Sequence, residues 1–269
     1  MGASELTAVF EDTQRRIAAD PELQAQLLSS QAASQLYLEN YTSPIRKMIG
    51  RGVIDVTAGT TFQCAHELLS QFSKIAVLNF ANPHEPGGGV RRGAKAQEEC
   101  LCRCSDLYNT LAQPYFLEHF YRYHYEHCDS FYSDRLIYSP NITVFKSDDP
   151  IPEVLDTPFS VDVITCAAPY RFRNNGETDE ALIRIYMSRI RNILEVSMSK
   201  AVSCLVLGAF GCGVFRNDPR LMARAFADLL VREQYARYFD KVVFAIKPSG
   251  SFSPNLHFFK EAFCEFSAE

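Results

Sequence analysis

The sequence predicts an α/β fold: a three-layer α/β/α sandwich around a mixed, mostly parallel sheet. Short apolar runs typical of buried strands alternate with longer amphipathic segments along the chain. Two of these runs, 75–80 and 202–207, each lead into a glycine-rich loop and then a helical pattern. No linker, repeat or low-complexity tract divides the 269 residues, so we expect one compact unit.

Residues 1–50 are predicted to form an N-terminal helical extension that lies against a catalytic domain spanning 51–269. Asp20 followed by Pro21 is typical of an N-cap with proline at the first helical position, so two helices are expected before about residue 40. Their apolar stripes consist of Leu6, Val9 and Phe10, and of Leu23, Leu27 and Leu28.

The middle of the chain begins with a predicted parallel, right-handed βαβ unit, made of a strand at 53–57, a helix at 61–72 and a strand at 75–80. Ser139-Pro140-Asn141 separates apolar runs at 135–138 and 142–145, which predicts a hairpin or two short edge strands. The polar, proline-rich stretch 146–158 is predicted to be a loop, followed by a strand at 159–167.

The last third continues the alternation. The predicted elements are a helix at 178–198, a strand at 202–207, a helix at 219–239 capped by Asp218, a strand at 241–246 and a helix at 255–266.

Composition excludes several classes of function. The net charge is −5, from 27 basic and 32 acidic residues, which disfavours duplex nucleic acid as a partner. No apolar run approaches the roughly 20 residues of a membrane span. Glu5, Glu11 and Asp12 interrupt any signal-peptide pattern, so we expect a soluble, cytoplasmic protein.

The cysteines and histidines are predicted to bind no metal, and no cofactor is expected. Nine cysteines are an odd number in a chain too long to need disulfides, which predicts reduced thiols. Cys100, Cys102 and Cys104 recur at every second residue, so on a helix Cys102 faces away from the other two. A second candidate metal cluster consists of His119, His124, His127 and Cys128, in a run whose aromatic residues favour a helix packed on the domain.

Two glycine loops are the candidate ligand-binding segments. Gly87-Gly88-Gly89 follows the strand at 75–80 and lets backbone N–H groups face an anion, such as a phosphate. Glu98 and Glu99 then occupy the first turn of the next helix, although first-turn carboxylates also occur simply because they complement the helix dipole. The second loop, 208–215, follows the strand at 202–207. Because the carboxyl ends of parallel strands meet at one sheet edge, both loops are expected to hold one pyrophosphate.

The first loop and its helix resemble the signature of microbial-type poly(ADP-ribose) glycohydrolases. Gly87-Gly88-Gly89, seven further residues and Gln97-Glu98-Glu99 follow the GGG-x7-QEE pattern, and both Asn79-Phe80-Ala81-Asn82 and Ser105-Asp106-Leu107-Tyr108 are similar to flanking segments of that family. The resemblance extends from about residue 53 to the C-terminus. It implies a macrodomain-like fold and hydrolysis of ribose–ribose O-glycosidic bonds, with ADP-ribose and ADP-ribosylated proteins as partners.

The resemblance also implies roles for individual residues. Glu99 corresponds to the catalytic carboxyl, and Glu98 to a residue that holds ribose hydroxyls. Phe215 would pack near the scissile sugar. The implied substrate-binding residues are Asn82, Gly87, Gly88, Gly89, Val90, Gln97, Gly211, Cys212, Gly213, Val214 and Phe215.

The chemistry is consistent with these roles. Cleavage of a ribosyl bond passes through an oxocarbenium-like state, and its leaving oxygen needs a proton. Burial against an apolar wall such as Phe215 would favour the neutral, proton-donating form of Glu99. The same group, once ionised, could activate water, so a second carboxylate is not needed as nucleophile.

Other functions compatible with the sequence are hydrolysis of mono(ADP-ribosyl) protein and non-catalytic binding of ADP-ribose. The first would use the same pocket with a different mouth. The second is disfavoured by the pair Glu98 and Glu99, because two nearby anions do not help to bind a diphosphate. A purely structural protein is disfavoured by the paired glycine loops.

Overall fold

A computed structural model of the protein describes residues 1–45, 47–48, 50–149, 151–171, 176–250 and 252–264. In this part of the chain one sheet contains the strands β1 (Gln35–Tyr37), β2 (Val53–Ala58), β3 (Ile75–Phe80), β4 (Leu136–Lys146), β5 (Val154–Cys166), β6 (Cys204–Leu207) and β7 (Lys241–Ile246). Their order is β1-β4-β5-β3-β6-β7-β2. The pairs from β5 to β2 are parallel, whereas β1–β4 and β4–β5 are antiparallel. The predicted mixed, mostly parallel sheet is confirmed.

Helices cover both faces of the sheet. The α-helices of the described residues are α1 (Ala3–Ala19), α2 (Pro21–Ala33), α3 (Thr61–Leu68), α4 (Gln97–Cys104), α5 (Leu107–Leu111), α6 (Pro114–Phe116), α7 (Tyr123–His127), α8 (Asp179–Ser199), α9 (Pro219–Ala227) and α10 (Pro254–Phe263). Within the described residues, no helix combines the length and the apolar character that crossing a membrane requires.

The core lies in two layers separated by the sheet. Alternate side chains of β3 point to opposite faces: Ala76 and Leu78 pack with α8, α9 and α10, whereas Ile75 and Val77 pack with α1, α3, α4 and α5. Residues of β3 from Ile75 to Asn79 are buried, as expected for a central parallel strand covered on both sides. The predicted α/β/α sandwich follows from this arrangement.

The N-terminal segment packs behind α4. Phe10 of α1 meets Tyr108 edge to face, with ring centroids 5.0 Å apart. The buried Lys146 ammonium donates to the Val9 carbonyl (3.1 Å) and to the Thr13 hydroxyl (2.8 Å). Two expectations for this segment are wrong: residues 35–37 form strand β1 rather than helix, and Leu28 is 65% exposed because it faces away from the core.

The expected βαβ unit is parallel, but its strands are not neighbours. Strands β6 and β7 lie between β3 and β2 in the sheet. The helix between them, α3, ends at Leu68, earlier than the predicted residue 72, and is capped by the Thr60 hydroxyl. Periodicity predicts the direction of such strands, whereas their order depends on the strands that arrive later in the chain.

The prediction of a hairpin or two edge strands around Pro140 is wrong. Residues 136–146 form one strand, β4, whose register against β5 shifts between Ser139 and Ile142. This bulge accommodates Pro140, which has no N–H for the ladder, and leaves Asn141 with φ +55°. Strand β5 begins at Val154, so the predicted loop 146–158 is shorter than expected.

The predicted helix 219–239 is interrupted. After α9 the chain makes a π-helical turn at Asp228–Arg232 and a 3₁₀ turn at Tyr235–Tyr238, with Gln234 at φ +61° between them. The last helix, α10, ends at Phe263, and the predicted end at residue 266 lies outside the described residues.

Replacing Phe10 with Ala should lower the free energy of unfolding by about 3 kcal/mol, since the ring is buried in the core against Tyr108. Urea denaturation measures this change. The neighbouring exposed substitution Glu11→Ala should leave the value within about 0.5 kcal/mol. Equal effects of the two substitutions would show that α1 is not part of the folded core.

Asp106 should make the protein less stable as the pH rises. Its side chain is fully buried, with Oδ1 accepting the Thr143 N–H at 3.0 Å, and burial raises the pKa of its carboxyl to about 7. In the unfolded chain an aspartate has a pKa of about 3.9. Between this pKa and the folded-state pKa of about 7, the folded protein therefore binds more protons than the unfolded chain.

Relative to Asp106→Asn, the wild type should therefore lose up to about 1.4 kcal/mol of stability per pH unit between about pH 4 and pH 7. Denaturant titrations of both proteins at several pH values in this window measure the difference. A difference that does not change with pH would contradict the assigned burial of a neutral carboxyl.

Candidate active site

A cavity of about 500 Å³ opens at the carboxyl ends of the central parallel strands. One wall is the start of α4, with Gln97, Glu98 and Glu99. The opposite wall is the second glycine loop, which contributes Gly211, Gly213, Val214 and Phe215. The floor comes from the end of β7 and the turn before α3. The second glycine loop and the helix that follows the first one therefore line the same cavity, because β3 and β6 are adjacent and parallel. Gly87, Gly88, Gly89 and Val90 of the first loop are not among the lining residues.

Glu98 is held from the end of β3. It is 2% exposed, its Oε1 accepts from the Asn79 amide (3.2 Å) and its Oε2 accepts from the Asn82 N–H (2.7 Å). Burial raises the pKa of this carboxyl to about 8, although the hydrogen bonds from Asn82 and Asn79 act in the opposite direction. Burial thus favours the neutral form of Glu98. The sequence reasoning includes Asn79 in a segment that resembles the family but assigns it no role in the site, since an Asn inside an apolar strand pattern gives little signal.

Glu99 is held from the glycine loop. Its Oε1 accepts the Gly89 N–H at 2.9 Å. Its Oε2 is buried, and no described residue donates a hydrogen bond to it. The side chain is 7% exposed and lies at the cavity wall. A buried carboxyl oxygen that no described residue satisfies, in a residue that lines a cavity, requires an explanation such as a contact with a ligand.

The first glycine loop is shaped around these carboxyl groups. Gly88 has φ +50°, and a Cβ at this position would lie 2.7 Å from Oε1 of Glu99 and 3.3 Å from Oε2 of Glu98. The loop N–H groups are also used internally: Gly88 donates to the Glu85 carbonyl, Gly89 to Glu99 and Val90 to the Gly87 carbonyl. The Gly89 N–H of this loop is thus directed at the Glu99 carboxyl group. Substrate contacts of Gly87, Gly88, Gly89 and Val90 stay predictions.

Gln97 lines the cavity and also joins the surrounding elements. Its Oε1 accepts the Phe80 N–H (2.9 Å), and its amide donates to the Leu78 carbonyl (2.7 Å) and the Thr61 hydroxyl (3.1 Å). These bonds fix the start of α4 to the end of β3, so Gln97 positions the two glutamates. Its predicted contact with substrate stays a prediction.

The second loop presents free backbone donors. Gly211 has φ +71°, and a Cβ there would lie 2.3 Å from the Asn217 amide nitrogen. Among the described residues, no acceptor takes the N–H groups of Gly213, Val214 or Phe215. This arrangement is suited to an anion such as a diphosphate.

Cys212, predicted to contact substrate, directs its thiol toward the Phe210 carbonyl at 3.6 Å. Asn217 was missed by the sequence reasoning. Its buried amide donates to the carbonyls of Pro169 (2.8 Å) and Gly211 (3.3 Å), and its Oδ1 accepts the Tyr186 hydroxyl (2.8 Å). Asn217 thereby holds the loop in shape.

The end of the cavity away from Phe215 includes a residue that the sequence did not predict. Asp148, at the tip of the β4–β5 hairpin, accepts the Thr60 hydroxyl at 2.7 Å, and burial raises the pKa of its carboxyl. The adjacent Asp149 pairs with Lys247, which follows β7. The hairpin tip thus reaches the far wall of the cavity, a contact between segments distant in sequence.

The described residues contain no group of three or more His, Cys, Asp or Glu side chains placed to hold a metal ion. All nine cysteines are free. In the candidate histidine cluster, His124 is buried and uses both ring nitrogens, with Nδ1 2.8 Å from the Phe120 carbonyl and Nε2 2.9 Å from the Ser133 hydroxyl.

Comparison with known proteins relates this site to one family. Residues 8–147, slightly more than half of the chain, match the family described as microbial-type PARG, catalytic domain. No curated protein sequence matches the chain significantly.

Solved structures extend the match to nearly the whole chain. The poly(ADP-ribose) glycohydrolase of Thermomonospora curvata is 31% identical with a TM-score of 0.84, covering 97% of this chain and 100% of that one, and the same values apply to its complex with the inhibitor ADP-HPD. The poly(ADP-ribose) glycohydrolase of Deinococcus radiodurans in complex with ADP-ribose is 33% identical with a TM-score of 0.81, covering 90% and 98% of the respective chains. On its family match, its fold and its paired glutamates, the chain belongs to the microbial-type poly(ADP-ribose) glycohydrolases.

Proposed function

We propose that Glu99 is the catalytic acid with which this protein, a glycoside hydrolase of ADP-ribose polymers, cleaves ribose–ribose O-glycosidic bonds and releases ADP-ribose. The observation that carries this proposal is the state of the Glu99 carboxyl. One oxygen is fixed by the Gly89 N–H, while the other is buried at the cavity wall without a described protein partner.

The reaction needs one proton donor and one activated water. Glu99 donates its proton from Oε2 to the bridging oxygen as the bond to the anomeric carbon breaks, which leaves an oxocarbenium-like ribosyl group and a free hydroxyl on the departing sugar. The Glu99 carboxylate then takes a proton from the water that attacks the anomeric carbon, which restores the acid. The Gly89 N–H stabilises the carboxylate between the two steps.

Glu98 serves the same site in a different way. Because burial raises its pKa, Glu98 is less prone to place a second negative charge beside Glu99 and the diphosphate of the substrate. Both of its oxygens are tied to the end of β3, so its position is fixed before substrate binds. A carboxyl held rigidly at this place is suited to orienting the hydroxyls of the distal ribose.

The remainder of the cavity accommodates the rest of an ADP-ribose unit. The N–H groups of Gly213, Val214 and Phe215, which no described residue accepts, would face the diphosphate, and Phe215 would pack against the distal ribose. The adenosine then extends toward Thr60, Asp148 and Lys247 at the opposite end. The volume of about 500 Å³ is within the range of small-molecule sites. In the cell, the polymer would reach this cavity attached to ADP-ribosylated proteins.

Replacing Glu99 with Gln should lower kcat by about 10²–10⁴-fold, because the amide cannot donate and regain the proton. Binding of ADP-ribose should stay within about threefold of wild type, since Gln retains an oxygen for the Gly89 N–H. Release of ADP-ribose from poly(ADP-ribose) and calorimetric titration with ADP-ribose measure the two effects.

The matched control is Glu85→Gln. Glu85 lies in the turn just before the first glycine loop, and its partly exposed carboxylate forms an ion pair with Arg92. This variant should keep kcat within about twofold. If Glu99→Gln had the same kcat as the control, Glu99 would not be the catalytic acid.

Replacing Gly88 with Ala should lower kcat/KM by at least about tenfold and destabilise the fold by about 1–3 kcal/mol, since the new methyl group would overlap Glu99 and the residue would be held at positive φ. Steady-state kinetics and urea denaturation measure these changes. Gly213→Ala is the control for folding, because its Cβ would have no neighbour within 4 Å. An unaltered kcat/KM in Gly88→Ala would contradict the close packing of this loop on the carboxyl groups.

A further inference from the structure

A row of aromatic side chains runs from the cavity to the protein surface. It consists of Phe215, Tyr132, His84 and Tyr125, and we call it the aromatic row. Successive ring centroids lie 6.2, 5.5 and 5.8 Å apart. Phe215 lines the cavity at one end, and Tyr125 at the other end is 76% exposed. The row is therefore continuous with the site where the bond is cleaved.

The aromatic row spans both walls of the reactive end. His84 belongs to the turn after β3, where its N–H donates to Oδ1 of Asn82 at 2.8 Å. Asn82 lines the cavity and holds Glu98 through its own N–H. Phe215 comes from the second glycine loop, so Tyr132 joins the two walls just outside the cavity.

Tyr132 is held in a costly backbone conformation. Its φ is +57°, a left-handed value that is rare for a bulky residue. A turn maintains this conformation, with the Tyr132 N–H donating to the Asp129 carbonyl at 3.1 Å and the Phe131 N–H donating to the Asp129 carboxylate at 2.8 Å. The buried His124 supports the ring edge-on, at 6.0 Å between centroids. Strain of this kind is concentrated at functional sites, so the placement of the ring calls for a function.

We propose that the aromatic row binds the leaving unit of the polymer, by stacking of the adenine that lies on the far side of the scissile bond. This proposal rests on the proposed function. A ribose–ribose bond of the polymer joins the ribose in the cavity to the adenosine ribose of the next unit, so an adenine lies close to the cavity mouth. Aromatic faces stack on bases and tolerate different orientations of the base.

The chemistry of the aromatic row favours a base over a peptide. Partial burial lowers the pKa of the His84 ring, so at neutral pH the row consists of uncharged rings. His84 meets Tyr132 and Tyr125 edge to face, at interplanar angles of 82° and 87°, so the exposed Tyr125 ring is the surface that suits a planar base. Recognition of an acceptor protein would instead use the backbone and charged groups around its modified residue. Protein binding is therefore the alternative outcome of the test.

The test measures binding without cleavage. In the Glu99→Gln protein, calorimetry compares ADP-ribose with a dimer of two ADP-ribose units joined by one ribose–ribose bond. The dimer should bind about tenfold more tightly than ADP-ribose, as expected for one stacked base. Adding Tyr125→Ala or His84→Ala should remove most of this ratio and leave the affinity for ADP-ribose within about twofold.

Tyr115→Ala is the matched control, because this tyrosine is 56% exposed on α6 and does not belong to the aromatic row. It should leave both affinities unchanged. Equal affinities for dimer and monomer before the aromatic substitutions would overturn the proposal, as would an equal loss of affinity for both ligands in Tyr125→Ala. If Tyr125→Ala weakened binding only of a mono-ADP-ribosylated peptide, the aromatic row would bind an acceptor protein instead.

The proposed catalytic function is tested separately. Release of ADP-ribose by the otherwise wild-type protein reports on cleavage, whereas the ratio of dimer to monomer affinity does not depend on it. A protein that fails to cleave but keeps the ratio would retain the aromatic row as a polymer-binding site.

Discussion

The site depends on burying two adjacent carboxyl groups, Glu98 and Glu99, at the start of one helix. Each needs hydrogen-bond donors, because a buried carboxyl without them is costly. The donors come from different sources: Asn79 and Asn82 at the end of β3 serve Glu98, and Gly89 in the glycine loop serves Glu99. Strand, loop and helix must therefore meet at one point, and this requirement determines the shape of the site.

The rest of the fold keeps α4 in that position. Gln97 connects its first turn to β3 and α3, while the buried Arg103 donates to the Ala94 carbonyl at 2.7 Å. On the side of α4 that faces α1, the Thr13 hydroxyl donates a hydrogen bond to the Arg103 carbonyl. The N-terminal helices thus form a layer behind α4. A substitution in α1 can therefore alter the positions of the Glu98 and Glu99 carboxyl groups by displacing α4.

Much of the fold follows from local patterns in the sequence. The strands at 75–80 and 241–246 have the predicted bounds, since uninterrupted apolar runs between polar turns identify central parallel strands. The second glycine loop and the start of α4 line one cavity because the parallel strands before them end at the same sheet edge. Other features depend on contacts between distant segments, which periodicity does not contain. These include the bulge at Pro140, the hydrogen bond between Asp148 and Thr60, and the hydrogen bond from the Gly89 N–H to Glu99.

The central claim concerns which carboxyl faces the bond that breaks. A crystal structure of the Glu99→Gln protein with the ADP-ribose dimer would test it most directly, because the uncleaved ligand shows the bridging oxygen. If Glu99 is the acid, this oxygen should lie within hydrogen-bond distance, about 2.6–3.2 Å, of the side-chain amide at position 99 in the variant. The Gly89 N–H should still donate to the side-chain oxygen of that residue. A bridging oxygen bound by Glu98 instead, with residue 99 remote from the sugar, would contradict it.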